Sequence, residues 1–221
     1  IVAELLLSFL FFSFSTKLSC LSVLANIPIT NNSMSISPTR LMSAMFTSAA
    51  ALVLSGAAIT IFGSSTVTTA NIIDIGGGDS NFVDALLEKG YQNIWVLDIS
   101  EFALERAKKR LGDKADLIHW IVSDITEFNP EVKFDFWHDR AVFHFLTGEE
   151  SIRKYVTIVS NAIAQNGNFL LGTFSENGPL KCSGLEIKQY PENSMKQTFI
   201  ENFEAIKCFT ENHTTPFDTI Q

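Results

Sequence analysis

The chain has 221 residues, of which 46% are apolar, and a formal net charge of −8 at neutral pH. This length fits one domain plus an additional segment, and the apolar fraction is sufficient for a hydrophobic core. A negative chain without a run of Lys and Arg is poorly suited to bind backbone phosphates, so we expect no nucleic-acid partner. The three cysteines are scattered and lack metal-ligand spacing, so we expect no metal site and a reducing compartment.

Residues 1–69 form an apolar segment that differs in composition from the rest of the chain. The stretch 5–24 has the character of a signal-peptide core, with Val23-Leu24-Ala25 as a candidate cleavage site. The stretch 41–63 is uncharged and long enough to span a bilayer as a helix. Membrane association through either stretch is therefore a candidate property. Four interpretations stay open: a membrane anchor, a targeting peptide, a helix covering the next domain, or mis-framed sequence.

Residues 70–221 are predicted to form one domain, which begins with a strand and a glycine turn. An apolar run that includes Asp74 predicts a strand, and Gly76-Gly77-Gly78 follows it directly. Glycines allow the backbone to approach a ligand closely, because no Cβ intervenes. A helical pattern covers residues 82–90, so the first N–H groups of that helix face the same ligand.

A second strand is predicted over residues 93–97, and it ends in Asp98. Ser100 is a natural N-cap for a helix over residues 101–111, and Gly112 is a natural stop for it. A glycine turn followed by an acid at the end of the next strand is typical of a site for a ribose-bearing cofactor.

The alternation of strands and helices continues through the rest of the chain. Because strands that alternate with helices form parallel sheets, we expect a mainly parallel sheet with right-handed crossovers. The later elements are predicted strands that begin near residues 117, 133, 168 and 203, and a helix over residues 149–165.

These features resemble the class I S-adenosylmethionine-dependent methyltransferases, over roughly residues 70–221. The glycine turn resembles the first motif of that family, and acids end three successive strands at Asp74, Asp98 and Asp124. Residues 137–146 also resemble the W-H-D-R-A-V-F-H-F-L segment of a mainly bacterial subgroup. The resemblance implies a doubly wound, Rossmann-like α/β sheet of order 3-2-1-4-5-7-6, with strand 7 antiparallel.

The resemblance also implies that the cofactor is S-adenosylmethionine. In that family the acid before the glycines lies near the methionine end of the cofactor. The acid after strand 2 takes the ribose hydroxyls, and the acid after strand 3 lies beside the adenine amine. The predicted cofactor-binding residues are Asp74, Gly76, Gly77, Gly78, Ser80, Asp98, Ile99, Asp124 and Ile125.

Each of the three acids is also suited to a structural role that involves no cofactor. Asp74 is also suited to be a buried acid held by amides of the glycine turn, and Asp98 to cap the following helix. Asp124 is also suited to begin a turn through Asp124-Ile125-Thr126.

The segment after strand 4 adjoins the methyl group in this family, so the predicted substrate-side residues are His138, Asp139, Arg140 and Phe143. His138 is a candidate general base because imidazole titrates near neutral pH, and the alternative is a histidine that holds a loop carbonyl. For Asp139 with Arg140, a local ion pair is favoured over a substrate clamp. His144 lies in an apolar run and is predicted to be a packed, hydrogen-bonded histidine.

The sequence thus predicts an S-adenosylmethionine-dependent methyltransferase with a small-molecule or protein acceptor and a cytoplasmic catalytic domain. The alternative is a Rossmann-like NAD or nucleotide-sugar enzyme, which is disfavoured because Asn81 replaces the third glycine of G-x-G-x-x-G. An inactive, membrane-tethered relic is a third interpretation. It is motivated by the missing aromatic lead-in of the subgroup and by the lack of a strand pattern after residue 209. We therefore expect strand 7 to be missing and strands 5 and 6 to expose edges.

Overall fold

The computed structural model describes residues 20–26, 69–140 and 142–210, and only the backbone of the first of these ranges. The predicted membrane stretch 41–63 lies outside the described residues. The stretch 5–24 does too, except for its last five residues. Among the described residues, no helix is both long and apolar enough to cross a bilayer.

The described chain contains nine strands and four α-helices in an order that alternates through most of its length. The strands are β1 (Cys20–Asn26), β2 (Asn71–Ile75), β3 (Asn93–Asp98), β4 (Ile118–Val122), β5 (Phe134–Arg140), β6 (Ile163–Thr173), β7 (Lys181–Cys182), β8 (Leu185–Glu186) and β9 (Phe203–Phe209). The helices are α1 (Phe82–Glu88), α2 (Glu101–Leu111), α3 (Glu149–Ala162) and α4 (Glu192–Phe199). Short 3-10 turns cover Gly112–Leu117, Ile125–Glu127 and Phe143–Phe145.

One seven-stranded sheet organises the domain, in the order β4-β3-β2-β5-β6-β1-β9. The pairs β2–β3, β2–β5, β3–β4 and β5–β6 are parallel, and a helix or 3-10 turn lies between consecutive strands of this part. Strands β2 to β6 thus have the order 3-2-1-4-5 of the predicted topology, and the predicted doubly wound α/β fold is confirmed. Because the order reverses between β2 and β5, the carboxyl ends of these two strands open a crevice for a ligand.

The position between β6 and β9, which we expected to be empty, is occupied by β1. This strand pairs antiparallel with β6 from Cys20↔Thr173 to Ala25↔Asn168, and antiparallel with β9 from Leu21↔Phe209 to Asn26↔Phe203. The expected exposed edges are therefore wrong for these strands, because a segment from before the glycine turn supplies both ladders. The candidate cleavage site Val23-Leu24-Ala25 lies within this paired strand.

Alternate side chains of the strands fill two cores, one on each face of the sheet. In β2, Ile73 and Ile75 belong to one core and Ile72 to the other, as the two-residue period of a strand requires. In β5, Trp137 lies in the first core and Phe136 in the second, and both are buried. Burying one such side chain contributes about 1.5–3 kcal/mol, so side-chain packing on both faces stabilises the sheet.

The main boundary that differs from prediction is the junction of α3 and β6. The helix ends at Ala162 rather than near residue 165, and β6 begins at Ile163. Asn166 has a φ of 64°, and the register between β5 and β6 shifts between Phe134 and Phe136. The left-handed residue and the shift mark an irregular strand start, which a helical periodicity does not anticipate.

Candidate functional site

The glycine turn joins β2 to α1 and is folded tightly against its neighbours. The N–H groups of Gly76 and Gly77 both donate to the Leu97 carbonyl, at 2.7 and 3.3 Å. Gly76 has a φ of +70°, and a Cβ there would lie 2.3 Å from Cγ2 of Val142. Both the backbone conformation and the close contact therefore require glycine at this position.

The next two glycines bring the backbone against the two acids of the site. A Cβ on Gly77 would lie 2.5 Å from Oδ2 of Asp74, and a Cβ on Gly78 would lie 2.8 Å from Oδ2 of Asp98. The structure thus brings Asp74, the glycines and Asp98 together at one end of the sheet, as the sequence predicted.

Asp74 and His138 form a buried pair across the β2–β5 ladder. Their exposed side-chain fractions are both 2%, and Nδ1 of His138 lies 2.6 Å from Oδ1 of Asp74. The His138 ring also packs on Phe82, with ring centroids 4.4 Å apart. Within the described residues, neither His138 Nε2 nor Asp74 Oδ2 has a hydrogen-bond partner. The partner of His138 is thus a carboxylate, whereas the structural alternative predicted a loop carbonyl.

Asp98 links the glycine turn to the start of α2. Its Oδ2 accepts from the Gly78 N–H at 3.0 Å, and its Oδ1 accepts from the Ser100 N–H at 2.8 Å. Burial raises the pKa of Asp98, while these two backbone donors act to lower it. The predicted N-cap of α2 is confirmed, since Ser100 Oγ accepts from the Ala103 N–H at 3.3 Å. Because each carboxylate oxygen has two lone pairs, Asp98 retains capacity for further donors.

The remaining predicted cofactor residues lie around these acids. Asp124 is exposed, and its Oδ1 accepts from the N–H and the hydroxyl of Thr126, both at 2.8 Å, so the turn that we considered for it is present. Ile125 is buried in the core, whereas Ile99 is 54% exposed beside Asp98. Ser80 Oγ accepts from the N–H of Phe82, the first residue of α1, at 3.0 Å.

Asp139 anchors the segment that follows β5. The side chain is fully buried, and its Oδ2 accepts from the Tyr155 hydroxyl at 2.6 Å. Its Oδ1 accepts from the N–H of Val142 at 2.9 Å and from that of Phe143 at 3.4 Å. Burial raises the pKa of Asp139 to about 6, against the lowering effect of these donors. We favoured an ion pair with Arg140 for this residue, but these contacts make its carboxylate the anchor of the turn after β5.

The other predicted substrate-side residues lie in different environments. Arg140 is half-buried at the end of β5. Phe143 is fully buried, and its ring contacts those of Tyr155, Tyr190 and Phe199 at centroid distances of 4.7, 4.9 and 5.3 Å. A substrate-side role for Phe143 therefore conflicts with its position in the core.

His144 is fully buried, as predicted, and the described residues do not supply the predicted hydrogen bond. Neither ring nitrogen has a hydrogen-bond partner among the described residues. Burial lowers the pKa of His144 to about 3, so the ring is neutral near pH 7.

Two arginines of α2 that sequence reasoning did not select hold the glycine turn from outside. Arg106 binds Asp79 with two parallel bonds, Nε to Oδ1 at 2.9 Å and Nη2 to Oδ2 at 2.5 Å. Arg110 donates to the Ser80 carbonyl at 2.7 Å and to Asp84 Oδ2 at 2.8 Å. Tyr155 was also missed, although a tyrosine in the apolar stripe of a helix signals a hydroxyl that needs a buried partner.

Comparison with known proteins agrees with this geometry. Residues 73–169 match the family described as "Methyltransferase domain". Malonyl-[acyl-carrier protein] O-methyltransferase 1 of Ilyobacter polytropus is 27% identical over 143 residues, which are 64% of this chain and 52% of that protein. Nodulation protein S of Rhizobium tropici is 27% identical over 104 residues, covering 47% of this chain and 43% of that protein. The chain thus spans about half the length of these curated relatives.

Solved structures share the fold at low sequence identity. An S-adenosylmethionine dependent methyltransferase from Mesorhizobium loti aligns with a TM-score of 0.54 and 19% identity, over 69% of this chain and 80% of the other. An S-adenosylmethionine-bound amino pentose methyltransferase from Micromonospora echinaspora aligns with a TM-score of 0.54 and 13% identity, over 68% and 80%. The match of residues 73–169 and the curated relatives thus support a class I, S-adenosylmethionine-dependent methyltransferase domain, and the solved structures show its fold.

Proposed function

We propose that the protein transfers a methyl group from S-adenosylmethionine to a small-molecule or protein acceptor. The observation that carries this proposal is the contact between Asp98 and the glycine turn. Asp98 Oδ2 accepts the Gly78 N–H at 3.0 Å, which fixes a carboxylate at the mouth of a turn with close backbone approach. This arrangement suits a ligand that carries a ribose beside the turn.

The residues present fit the cofactor in three respects. The half-exposed Asp98 has lone pairs left for ribose hydroxyls, and the exposed Ile99 next to it offers an apolar surface for a flat ring. Asp74 Oδ2 is a buried acceptor without a partner among the described residues, and it lies under Gly77. We therefore assign Asp98 to the ribose, Asp74 to the methionine end of the turn, and Asp124 to the adenine side.

The chemistry requires alignment more than acid–base catalysis. The bound cofactor supplies an electrophilic methyl group on a sulfonium, whose sulfur leaves as a neutral thioether. The protein then contributes mainly proximity and orientation of the acceptor. Asp139 orders the segment after β5 that faces this region, through its bonds to the N–H groups of Val142 and Phe143.

We assign His138 a positioning role at the turn. Its Nδ1 is engaged by Asp74 and its ring is 2% exposed, so it holds the acid that lies beneath Gly77. A role as general base would require its buried Nε2 to become accessible to the acceptor.

Calorimetry of the full chain with S-adenosylhomocysteine and with NAD tests the proposal. We expect S-adenosylhomocysteine to bind with a dissociation constant in the micromolar range, about 8 kcal/mol, and NAD to bind far more weakly. Tight binding of NAD without binding of S-adenosylhomocysteine would favour the nicotinamide enzyme instead. Binding of neither ligand would favour the inactive interpretation.

Asp98→Asn is the sharper variant, because asparagine removes the charge and keeps one acceptor oxygen for either the Gly78 or the Ser100 N–H. Charge-assisted hydrogen bonds contribute roughly 1.5–3 kcal/mol each, so S-adenosylhomocysteine affinity should fall about tenfold or more. Asp116→Asn, at an exposed acid in the 3-10 turn after α2, is the matched control and should bind normally. Equal affinities of the two variants would return Asp98 to a purely capping role.

The acceptor is the less defined part of the proposal. Two curated relatives are named malonyl-[acyl-carrier protein] O-methyltransferases, and the solved relatives include an amino pentose methyltransferase. These names cover both oxygen and sugar acceptors, so the acceptor of this chain must be inferred from its own residues.

A further inference from the structure

The carboxyl ends of β5 and β6 carry buried polar side chains that the proposed mechanism does not use. His144, Thr173 and Tyr190 have exposed fractions of 0%, and their polar side-chain atoms have no hydrogen-bond partner among the described residues. Buried polar groups are nearly always satisfied, so three unsatisfied groups in neighbouring segments call for a ligand or a conformational explanation.

The three residues belong to segments that contact one another around the chain that follows β6. We call residues 174–190 the strap, and it contains the small hairpin of β7 and β8. Its first residue contacts the His144 ring, since the Phe174 and His144 ring centroids lie 5.1 Å apart. Its last residue returns to its first, because the Tyr190 N–H donates to the Phe174 carbonyl at 2.8 Å. The Lys188 N–H donates to the His144 carbonyl, also at 2.8 Å, so the strap lies directly over the 3-10 turn after β5.

The strap is held by a small core and few contacts. Phe174, Cys182 and Ile187 form a cluster separate from the two main cores, with Phe145 packed against it. The two strands of the hairpin have two residues each, joined at Ser183 and Gly184 in left-handed conformations. An element with a small cluster and a short ladder is among the first to open locally.

This region adjoins the proposed cofactor site. Val142 occupies the space that a Cβ on Gly76 would need, and it precedes His144 by two residues. Ligands of open α/β sheets bind beyond the carboxyl ends of the strands, where the turn after β5 and the end of β6 both lie. A molecule bound beneath the strap would therefore lie beside the glycine turn.

The polar groups at this place are neutral near pH 7. Burial lowers the pKa of His144 to about 3 and raises the pKa of Tyr190 above its ordinary value. A hydroxyl group both donates and accepts, so it can satisfy an imidazole, a threonine or a phenol. The rings of Phe145 and Phe174 flank His144 and favour an apolar body beside that hydroxyl. Lys188 is the nearby cation, with its Nζ 5.3 Å from the centre of the Tyr190 ring.

We propose that His144, with Thr173 and Tyr190, recognises a neutral, hydroxyl-bearing methyl acceptor with an aromatic body, and that the strap closes over it. The inference rests on the proposed function, because it narrows the acceptor class of the same domain. The carboxylate alternative, which Lys188 would attract, is an outcome of the test below.

The test measures binding of three probes to the full chain with saturating S-adenosylhomocysteine. The probes are 2-naphthol, its methyl ether, and 2-naphthoate, which share one ring system and differ in the polar group. We expect 2-naphthol to bind at least tenfold more tightly than the other two. Tighter binding of the ether or of the carboxylate to the unmodified protein would overturn the proposal.

His144→Phe removes the ring nitrogens and keeps an aromatic side chain of similar size. We expect this variant to lose the preference for 2-naphthol to within about twofold and to keep its thermal midpoint or raise it, because the substitution removes the two buried ring nitrogens that lack a partner among the described residues. A purely structural histidine would leave the preference unchanged. His119→Phe is the matched control at an exposed histidine of β4, and it should retain the preference.

Thr173→Val provides a second, isosteric variant if His144→Phe fails to fold, and it should reduce the preference severalfold. A preference that survives both substitutions would overturn the proposal. Failure of the cofactor assignment is seen separately, as loss of S-adenosylhomocysteine binding by the unmodified protein while the probe preference persists.

Discussion

The two halves of the sheet differ in how their strands are connected and paired. In the half from β4 to β5, the strands pair in parallel and a helix or 3-10 turn connects each strand to the next along the chain, while β2 also pairs with β5, which follows β3 and β4. In the half from β6 to β9, the central strand is β1, which comes from before the glycine turn and pairs antiparallel on both sides. The first half depends on local crossovers, and the second depends on contacts between distant parts of the chain.

This difference separates the proposed tasks of the two halves of the sheet. The parallel half holds the glycine turn and its acids at the switch point between β2 and β5. The second half carries the strap and the buried polar groups at the end of β6. Cofactor binding should therefore be sensitive to changes in the first half, while stability should be sensitive to the strand that enters from the N-terminal side.

The largest expected effect is loss of β1. A chain of residues 27–221 should lose the ladders on β6 and β9 that a chain of residues 20–221 keeps. We expect a loss of at least about 5 kcal/mol in the free energy of unfolding, which is the scale of a whole domain. Thermal midpoints and light scattering measure the two truncations side by side, and exposed apolar edges should make the shorter one aggregate.

A strand appended after residue 221 should restore the shorter chain, because the position between β6 and β9 requires backbone partners. Equal midpoints for the two truncations would show that β1 contributes little to the sheet.

The next effect is expected at the glycine turn. Gly76→Ala introduces a Cβ 2.3 Å from Cγ2 of Val142 at a φ of +70°. Overpacking costs about 1–3 kcal/mol and a left-handed alanine about 1–2 kcal/mol, so the stability should fall by roughly 2–5 kcal/mol. Binding of S-adenosylhomocysteine should weaken as well, and urea unfolding with calorimetry measures both effects.

Gly112→Ala is the matched control, because Gly112 has a φ of +58° but no atom within 4 Å of an added Cβ. It should show the backbone cost alone and normal binding. In Gly76→Ala, the further change Val142→Ala should recover part of the loss. If Gly76→Ala behaves like Gly112→Ala, the contact with Val142 is not decisive.

Asp139 should give the domain a pH-dependent stability term. Its pKa is raised from 3.8 to about 6 in the folded state, mainly by burial, so the folded protein holds this proton more tightly than the unfolded chain. The contribution of Asp139 is thus fullest below about pH 4 and is lost as the pH rises through about 6. A shift of this size corresponds to about 3 kcal/mol.

Asp139→Asn should remove this slope, which urea unfolding at pH 4 and pH 7 measures as a difference from the unmodified protein. Tyr155→Phe should act in the opposite direction and extend the slope to higher pH, because the Tyr155 hydroxyl lowers the pKa of Asp139. Identical slopes in all three proteins would contradict a buried, ionising Asp139.

The smallest effect is expected at the ion pair between Arg106 and Asp79, which lies on the outside of the glycine turn. Arg106→Lys replaces the two parallel bonds to Asp79 by a point charge. The Arg106 and Asp79 side chains are 39% and 23% exposed, so the loss should be at most about 1 kcal/mol and should shrink in high salt. Chemical unfolding at two salt concentrations measures it, and a loss that is independent of salt would indicate that packing of Arg106 matters more than its charge.

The parallel half could be predicted from the sequence because its signals are local. Ser100 as the N-cap of α2, Asp98 after β3 and the glycines after β2 each depend on residues a few positions apart. The acids were expected to meet because the carboxyl ends of neighbouring parallel strands lie at one edge of the sheet. In this half of the sheet, the order of strands and turns along the chain therefore predicts which side chains lie close together in space.

The contacts of buried side chains could not be predicted in this way. Asp139 was assigned to Arg140, its neighbour in the chain, but its carboxylate accepts from Tyr155 on α3. Phe143 was assigned to the substrate, but it packs among Tyr155, Tyr190 and Phe199. These contacts were not predicted because the sequence gives the chemistry of a side chain and not the element that packs against it.

By itself, the sequence determined the alternation of strands and helices, the glycine turn and the acids around it, since periodicity, capping and turn chemistry act over a few residues. Only the tertiary structure decided that Cys20–Asn26 completes the sheet between β6 and β9, and that the His144 ring lies beneath the strap without a hydrogen-bond partner among the described residues. Both outcomes depend on which distant segments meet, and the free energy of those contacts comes from backbone pairing and burial that no local pattern specifies.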